Sequence, residues 1–391
     1  MRSDQMRSTS VDLTSPDVVA DPYPAFADER SQGDVAWHPA SGTFLTFSHA
    51  AASAVLRDRR LGRIWRDREP AAYLEPFNLL HRNQMMENEP PDHTRLRRLV
   101  AAAFARGHIE RLRPRVQSLA ESLLDEVDPG GFDVIAAYAE PLPVLVIAEL
   151  LGVPASLVPE LRGWSQAIVR MYEPSPSDEV VAAAVSSATD FADAIRELAE
   201  ERRKAPEADL LSDLVAARDG AARLSEDEVV ASAVLLLNAG HEASVNVFGN
   251  GLVALLERGL APVAGKEALC VEEMLRFDSA LQLFERTAIE AVDIAGVTVE
   301  EGQKIAALLG AANRDPAVFA DADSFDVRRD PNPHLAFGAG LHFCLGAPLA
   351  RMELVESLTH LFSRFPRLGL LEAIPRGTFV LRGYSSVRVG I

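Results

Sequence analysis

Apolar residues recur at helical spacing over most of the chain. They repeat every three or four positions, and alanine, leucine, glutamate and arginine, which favour helices, are abundant. In one segment, Ser225 and Glu228 stand three apart just before the apolar pattern begins, which is typical of a capping box at a helix start. The pattern predicts long helices over residues 110–127, 155–172, 179–204 and 225–257.

Strand-like segments are short and few. The alternation predicts a strand at 43–48, and a hairpin followed by a further strand at 291–310. Two more strands, 378–383 and 386–391, are predicted at the end of the chain. No repeat or low-complexity linker divides the sequence. We therefore predict a mainly α fold with a small β region, forming a single domain over residues 1–391.

Composition limits the functional classes. The chain has 391 residues, 48% of them hydrophobic, and a formal net charge of −18, which argues against nucleic acid as a partner. The longest apolar runs, such as 229–237, fall short of the roughly 20 residues that a membrane span requires. The N-terminal sequence lacks the apolar core of a signal peptide, and two cysteines give no disulfide framework. We therefore expect a cytoplasmic protein without a membrane partner.

One of the two cysteines, Cys344, stands in the glycine-rich segment FGAGLHFCLG (337–346), directly before a helical pattern that starts near Ala347. A helix N-terminus favours a thiolate, and nearby glycines let a flat group lie against the backbone. Thiolate is also a haem ligand that promotes O–O cleavage. A half-buried free cysteine is the alternative. A zinc site is disfavoured because no CxxC motif or paired histidines accompany the cysteine.

The residues around Cys344 resemble the haem-binding loop of the cytochrome P450 superfamily. The resemblance extends from 21–30 to 381–389 and is to bacterial soluble class I members, similar to macrolide and polyketide hydroxylases. It implies the cytochrome P450 fold, haem b (iron protoporphyrin IX) as cofactor and Cys344 as the metal ligand. The matching positions are Phe337, Gly338, Gly340, His342, Cys344, Gly346, Leu349, Ala350 and Arg351.

The segment 90–104 places cationic side chains on two sides of a predicted helix. His93 and Arg97 share one stripe with Val100 and Phe104, and a cationic inner stripe needs a buried anion. The resemblance implies that the haem propionates are this anion, and that His93, Arg97, Arg286 and His342 bind them. On the opposite side, Arg95, Arg98 and Arg106 point outward, where a basic solvent-facing surface is the simpler interpretation.

Those outward arginines belong to a basic run between 95 and 115 in an otherwise acidic chain. We expect this local positive patch to attract an acidic ferredoxin, by an attraction that weakens with salt. The resemblance implies the same partners, a ferredoxin and its ferredoxin reductase.

Glu273 and Arg276 stand three apart and share a helix face, a spacing that usually marks a solvent-exposed ion pair. The resemblance instead implies a buried brace of the haem-binding core, completed by a later arginine. Arg328 is our first candidate for that arginine, and Arg329 is the second.

Small residues form a stripe in the middle of the helix predicted at 225–257. Ala239, Gly240 and Ala243 share this stripe with Leu236, although a mid-helix glycine costs about 1 kcal/mol relative to alanine. Close helix packing is one explanation. The resemblance implies another, in which O₂ and substrate lie along the stripe.

The sequence departs from the family pattern at this stripe. The family has an acid followed by threonine, whereas this chain has Glu242 followed by Ala243 and Ser244. Glu242 supplies the acid of the proton relay, but Ala243 has no hydroxyl group. Proton delivery must then use ordered water, Ser244, Asn238 or a hydroxyl on the substrate. The Glu-Ala-Ser arrangement resembles that of hydroxylases from macrolide biosynthesis.

The resemblance implies a monooxygenase that inserts one oxygen atom from O₂ into a bulky, largely apolar natural product. Hydroxylation or epoxidation of a polyketide or macrolide is the favoured reaction. Oxidative ring coupling and a haem-containing binding or sensor protein without turnover are the alternatives. By family analogy, the substrate contacts include Asn83, Gln84, Met85, Leu236, Ala239, Gly240, Gln282, Leu283 and Tyr384.

Overall fold

Helices carry most of the structure. The computed structural model describes residues 7–104, 108–172 and 176–391. Its α-helices are α1 (Pro16–Ala20), α2 (Tyr23–Gln32), α3 (His49–Arg57), α4 (Glu75–Arg82), α5 (Asp92–Phe104), α6 (His108–Asp125), α7 (Pro141–Leu151), α8 (Val158–Val169), α9 (Asp178–Lys204), α10 (Leu210–Ala216), α11 (Glu226–Glu257), α12 (Glu267–Phe277), α13 (Leu309–Asn313) and α14 (Ala347–Arg364). No helix in these ranges is long and apolar enough to cross a membrane.

The strands are short and form small sheets. They are β1 (Val35–His38), β2 (Thr43–Thr46), β3 (Leu61–Gly62), β4 (Phe132–Asp133), β5 (Arg218–Asp219), β6 (Ala222–Arg223), β7 (Leu283–Ala288), β8 (Val292–Ile294), β9 (Val297–Val299), β10 (Lys304–Leu308), β11 (Gly369–Pro375) and β12 (Tyr384–Gly390). The largest sheet has the order β1-β2-β10-β7-β3, with β10 parallel to β2 and the other pairs antiparallel. A second sheet has the order β11-β12-β4, and β5-β6 and β8-β9 are hairpins.

The four predicted long helices are confirmed as α6, α8, α9 and α11. The predicted segment 155–172 is less regular than its apolar spacing suggested. Single 3₁₀ turns at Ala155–Leu157 and Arg170–Tyr172 flank α8, and a proline occupies its first turn. Proline lacks the N–H that would join the preceding turn to the helix, so α8 starts later than predicted.

The strand predictions succeed except at 378–383, and the strand predicted at 386–391 is β12. The segment 43–48 gives β2, and 291–310 gives the β8–β9 hairpin followed by β10. The strand predicted at 378–383 is wrong, because only Leu381 makes an isolated bridge there, to Leu281. The partner of β12 is β11, which the pattern did not reveal because exposed apolar residues, Leu371 and Ile374, break its alternation.

Helix α11 runs through the main apolar core. Ser225 and Glu228 form the predicted capping box at its start. Further along, Gly251 lets α12 approach closely, since a Cβ at this position would lie 2.3 Å from the Met274 side chain. Buried apolar side chains surround most of the helix. The position of α11 is therefore fixed by packing on several sides.

Helix α12 is joined to the segment that precedes Cys344 by a buried ion cluster. Glu273 and Arg276 are both 0% exposed, and the Arg276 Nε and Nη2 atoms each donate to Glu273 at 2.7 Å. Arg276 Nη1 also donates to the carbonyls of Asn313 and Ala322. Arg329 Nε reaches both Glu273 oxygens at 3.0 and 3.1 Å. This arrangement is a brace and not a surface ion pair.

The third member of the brace corrects our first choice. Arg328 is exposed and makes only a backbone hydrogen bond to Asp326, so it is the wrong residue. Arg329 completes the cluster, together with Asn332, whose Nδ2 donates to Glu273 at 3.1 Å. The sequence alone cannot show which of Arg328 and Arg329 is buried, because the backbone of this segment is irregular and follows no helix or strand pattern.

We expect Arg329→Ala to lower the free energy of unfolding by about 3 kcal/mol, because removing one partner leaves a buried charge less compensated. The matched control, Arg328→Ala, should change it by no more than about 0.5 kcal/mol. Denaturant unfolding of the two variants, followed by circular dichroism, measures the difference. Equal destabilisation by both variants would contradict the brace.

Candidate haem site

Cys344 lies in a tight loop between a 3₁₀ turn, Gly340–His342, and the start of α14. Its backbone N–H donates to the Phe337 carbonyl at 2.9 Å. Gly340 has a φ of +70°, and a Cβ there would lie 2.3 Å from the Leu56 carbonyl oxygen of α3. Glycine is therefore required both by the backbone conformation and by the close approach of α3.

The Cys344 thiol is half-buried, unlike the fully buried Cys270. Burial raises the pKa of Cys344 above its usual value, whereas hydrogen bonds from the Gly346 and Ala347 backbones and the charges of Arg97 and Arg351 oppose the rise. These donors and cations are what a thiolate needs. A bound metal ion would deprotonate the thiol outright.

A second network holds the start of the loop. The Arg351 guanidinium lies 4.5 Å from the Phe337 ring centroid and donates to Glu272 through Nε at 2.6 Å. His334 Nε2 reaches the same carboxylate at 2.9 Å. Sequence analysis missed Glu272 and His334, because nothing in their spacing distinguishes them from surface residues.

The four residues expected to bind propionates include two neighbouring histidines whose rings are tilted by 50° to each other. His93 and His342 have ring centroids 4.4 Å apart. His93 is 2% exposed, and neither of its ring nitrogens has a hydrogen-bond partner in the structure. Burial, with the charges of His342 and Arg97, lowers the pKa of His93 to about 4.

The two arginines of this group also lack acidic partners among residues 7–104, 108–172 and 176–391. Arg286 is 3% exposed and donates to the carbonyl of its neighbour Glu285. Burial, with the positive charge of Arg63, lowers the pKa of Arg286 to about 10. Arg97 Nη2 donates to the Phe343 carbonyl at 2.6 Å. Guanidinium groups held this way favour an anion as their missing partner.

His342 is the member of the group that has an acidic partner. Its Nε2 donates to Glu89 at 2.8 Å, and the Arg63 backbone N–H donates to the same carboxylate. Although burial opposes it, the hydrogen bond from His342 holds the pKa of Glu89 below its usual value. Glu89 was not predicted, since its only signal is a position near the start of α5.

The small-residue stripe of α11 faces open space. Ala239 and Ala243 are exposed and Gly240 is half-buried, although residues 229–237 and 244–255 of the same helix are buried. Leu236 is buried one turn earlier. Exposed alanines at the middle of a core helix indicate a cavity beside it. The half-buried Cys344, and basic side chains without acidic partners among the described residues, are the groups that a haem iron and its two propionates require.

Glu242 is buried beside the stripe and paired with a cation that we did not predict. Arg376, which follows β11, donates to Glu242 Oε2 through Nη1 at 3.0 Å. Arg376 is itself fixed, because its backbone N–H donates to Gly383 and its Nε to the Tyr384 carbonyl. A separation of 134 residues left no sequence signal for this pair.

Ser244 faces a different side of α11 from Ala243. It lines a narrow cavity with Glu353 and Ser357 of α14 and with residues of α7. Burial raises the pKa of Glu353 to about 8. No cation lies within ion-pair distance of Glu353 in the described part of the chain. At neutral pH Glu353 is therefore mostly protonated, and it can donate a proton in the neighbourhood of Ser244.

Gln282 and Tyr384 stay predictions as substrate contacts. Gln282 is 0% exposed, its Nε2 donates to the Ser279 carbonyl, and its side chain packs against Gly310. The Tyr384 hydroxyl is influenced by Asp278, Arg382, Glu257 and Arg258. The Tyr384 carbonyl accepts a hydrogen bond from Arg376, which also binds Glu242 beside the small-residue stripe.

The remaining predicted contacts stay predictions. Asn83 is half-buried and closes α4 by donating to the Leu79 carbonyl at 2.8 Å. Gln84 and Met85 are buried, and Gln84 Oε1 has no partner in the structure. Leu283 is half-buried on β7.

Comparisons with known proteins agree with this geometry. Residues 268–368, which contain α12, the ion cluster and the cysteine loop, match the family model described as Cytochrome P450. The chain is 38% identical over 367 residues to cytochrome P450 monooxygenase PikC of Streptomyces venezuelae, covering 90% of this chain and 86% of that protein. It is 37% identical over 404 residues to 6-deoxyerythronolide B hydroxylase of Saccharopolyspora erythraea, covering 98% and 99% of the two.

A solved structure supports the same assignment. The bacillaene polyketide synthase cytochrome P450 PksS of Bacillus subtilis superimposes with a TM-score of 0.88 at 32% identity, covering 97% of this chain and 99% of that one. The mainly helical fold with small sheets is therefore the cytochrome P450 fold. The chain belongs to the cytochrome P450 family and is a monooxygenase whose cofactor is haem b.

Proposed function

We propose that this monooxygenase hydroxylates or epoxidises a bulky, largely apolar natural product of the polyketide or macrolide class. The observation that carries the proposal is the stripe of exposed Ala239 and Ala243 and half-buried Gly240 beside a buried Glu242. Alanine at position 243 leaves room for a bulky ligand and removes the hydroxyl that the family uses for proton delivery. A ligand that carries its own hydroxyl groups suits both features.

The haem would be held from two sides. Cys344 would bind the iron, and His93, Arg97, Arg286 and His342 would bind the propionates. Phe337, Gly338 and Gly346 would line the loop against the ring. When bound, the haem supplies the redox chemistry that activates O₂. The protein's own part is to keep the thiolate ionised, to hold the propionates and to bring protons to the cavity.

Monooxygenation consumes protons as well as electrons, so ionisable groups must reach the cavity. Glu242, beside the stripe, would hold and release the proton at its carboxylate. Ala243 cannot assist, because it has no hydroxyl. Ser244 lies beside Glu353, which is mostly protonated at neutral pH, so this pair would serve as a second proton reservoir on the α14 side. A substrate hydroxyl would complete the path from the cavity side.

The substrate class is supported by the relatives and by the lining. One relative is named for hydroxylation of 6-deoxyerythronolide B, and the matched solved structure is named for a polyketide synthase. Apolar or small side chains, Leu236, Ala239, Ala243 and Leu283, outnumber the polar candidates Asn83 and Gln84. A largely apolar ligand with a few oxygen atoms matches this balance.

The electron donor is proposed to be a ferredoxin, reduced by its reductase. Electrons must enter near Cys344, where Phe343 is 42% exposed and arginines 97 and 351 lie close to the thiol. The basic run is less positive than its sequence suggested. Acidic residues of the same protein pair with it: Arg95 with Glu228, Arg98 with Asp219, Arg113 with Glu356 and Arg115 with Glu149. Arg106 lies outside the described residues.

We expect turnover of 6-deoxyerythronolide B under ¹⁸O₂, with NADPH and a surrogate ferredoxin and reductase, to give a product with one labelled oxygen atom. Mass spectrometry of the product measures the label. An oxidised product without label would instead establish oxidative coupling. Failure of this compound to shift the haem spectrum or to give product, with myristic acid giving both, would overturn the macrolide class.

The control for this experiment tests whether Cys344 is the ligand of the haem iron. The reduced wild-type protein with carbon monoxide should show the strongly red-shifted Soret band of thiolate haem. Cys344→His should lose that band even where haem remains bound, because imidazole is a weaker donor than thiolate. A histidine-type spectrum from the wild-type protein would exclude Cys344 as the ligand.

Arg98→Glu should slow ferredoxin-dependent reduction several-fold, because it reverses an exposed charge and places a second carboxylate beside Asp219. The rate of formation of the carbon monoxide complex measures the reduction. Arg203→Glu, which reverses an exposed arginine paired with Glu200 on α9, is the matched control and should have little effect. Reduction by dithionite should not change in either variant, and a loss there would point to damage of the fold.

The raised pKa of Glu353 predicts that the free energy of unfolding depends on pH. Its folded pKa of about 8 lies above the ordinary value of 4.5, so the folded state keeps a proton that the unfolded state releases between these pH values. Its contribution to the free energy of unfolding is fully present below pH 4.5 and falls by about 1.4 kcal/mol per pH unit up to pH 8. Glu353→Gln should therefore gain stability relative to wild type from pH 5 to 8. Thermal unfolding across this range measures the gain, and parallel curves would contradict the raised pKa.

A further inference from the structure

His241, on α11 beside Glu242, is a buried histidine whose ring nitrogens make no hydrogen bond that would stabilise the fold. It is 2% exposed, and neither Nδ1 nor Nε2 has a hydrogen-bond partner in the structure. An unsatisfied buried polar group costs about 1–3 kcal/mol. An apolar side chain would avoid that cost on this face of the helix. The cost therefore calls for a functional explanation.

The position of His241 next to Glu242 offers a functional explanation for this buried imidazole. Its Nδ1 lies 3.7 Å from Oε1 of Glu242, the oxygen that Arg376 does not hold. Arg376 binds Oε2 at 3.0 Å and thereby leaves Oε1 turned toward the imidazole. A separation of 3.7 Å is within reach of one rotamer adjustment or one bridging water, and such contacts are often long before a ligand binds.

His241 also lies within electrostatic range of an ion pair that reaches solvent. Glu140, before α7, is buried and accepts bidentate hydrogen bonds from Arg162 of α8 at 2.8 and 2.5 Å. The Arg162 side chain is 46% exposed. The Glu140–Arg162 pair therefore extends from a buried carboxylate to the protein surface.

We propose that His241 resupplies Glu242 with protons, taking each one up on the side of the Glu140–Arg162 pair and passing it from Nδ1 to Glu242 Oε1. The proposal rests on the proposed role of Glu242 as the proton-delivering acid. Because His241 acts through Glu242 and does not touch the reacting atoms, it is a positioning residue of the relay.

The step balances in protons and moves no electrons. A proton from solvent binds at Nε2 and makes an imidazolium. The Nδ1–H bond then breaks as an O–H bond forms on Glu242, which leaves a neutral imidazole of the other tautomer and a carboxylic acid. Glu242 returns to carboxylate when it releases its proton on the cavity side.

The charges around His241 suit a transient proton. Burial lowers the pKa of His241, whereas the carboxylates of Glu242 and Glu140 raise it and Arg162 and Arg376 lower it. The resting imidazole is therefore neutral at pH 7, and each carboxylate stabilises the imidazolium as it forms. As pH rises above this lowered value, the imidazolium becomes about tenfold rarer per unit, so the relay should slow.

The test compares His241→Phe, which removes the ionisable group at similar size, with His241→Gln, which keeps hydrogen bonding but does not titrate. NADPH consumption and O₂ uptake are measured with a surrogate ferredoxin and reductase, with and without 6-deoxyerythronolide B, in H₂O and D₂O. We expect both variants to lose at least about tenfold in rate and to show a larger solvent isotope effect. Their pH profiles should lack the decline with rising pH that we expect for wild type.

Two readouts separate the relay from damage to the site. Peroxide-driven oxidation of guaiacol needs no proton delivery to O₂ and should be unchanged. Histidine NMR signals of the haem-loaded enzyme, assigned with His241→Gln, should show that Glu242→Gln lowers the titration midpoint of His241. His360→Gln, on α14, is the matched histidine control and should behave as wild type.

The outcomes distinguish this inference from the proposed function. If Glu242→Gln turns over slowly while both His241 variants keep the wild-type rate, the relay is overturned and the role of Glu242 is left intact. A wild-type rate in Glu242→Gln would overturn both. A slow His241→Phe with a normal His241→Gln would show that hydrogen bonding, and not proton transfer, is what His241 provides, and it would also overturn the proposal.

Discussion

The carboxylate of Glu273 has no contact with solvent, and Arg276, Arg329, Asn332 and the Asp326 backbone all donate to it. These donors come from α12 and from the irregular segment that leads to the Cys344 loop. That segment has no sheet or helix of its own to define its path, so the buried carboxylate defines it. Loss of any one donor leaves charge in the core without compensation, and the loop would then lose its fixed relation to α12 and, through Arg351 and Glu272, to α14.

A second constraint is electrostatic. Among the described residues, His93, Arg97 and Arg286 have no carboxylate partner. Four arginines of the α5–α6 region each pair with a carboxylate: Arg95, Arg98, Arg113 and Arg115. Binding of a dianionic cofactor would therefore remove a repulsion that folding of the chain alone leaves in place. Around α11 the arrangement is different, because acids and bases alternate: Arg162, Glu140, His241, Glu242 and Arg376. Such an alternating row can hold a moving proton without a large change in net charge.

The sequence was sufficient where function depends on local spacing. Cys344 before α14, the capping box of α11 and the stripe around Ala243 all follow from residues a few positions apart. It was insufficient where partners meet across the fold. Arg329 could not be separated from Arg328, and Arg376, Glu89 and Glu272 gave no signal, because tertiary packing alone decides which charged residue is buried. Gln282 and Tyr384 stay predictions for a related reason, since a family analogy places a segment near the ligand but does not fix the direction of its side chains.

Gly340 has a consequence for how this protein can change over time. The backbone of α3 approaches this glycine so closely that no side chain fits, and the positive φ excludes most other residues independently. A side chain at position 340 would meet backbone atoms of α3, which no substitution within α3 can remove. A second change in α3 could therefore not compensate for replacing Gly340. The pocket walls can therefore vary to accept new substrates, while the loop that presents the cysteine has to stay in place against α3. Residues that can vary and residues that cannot therefore lie in different parts of the chain, the pocket walls and the cysteine loop.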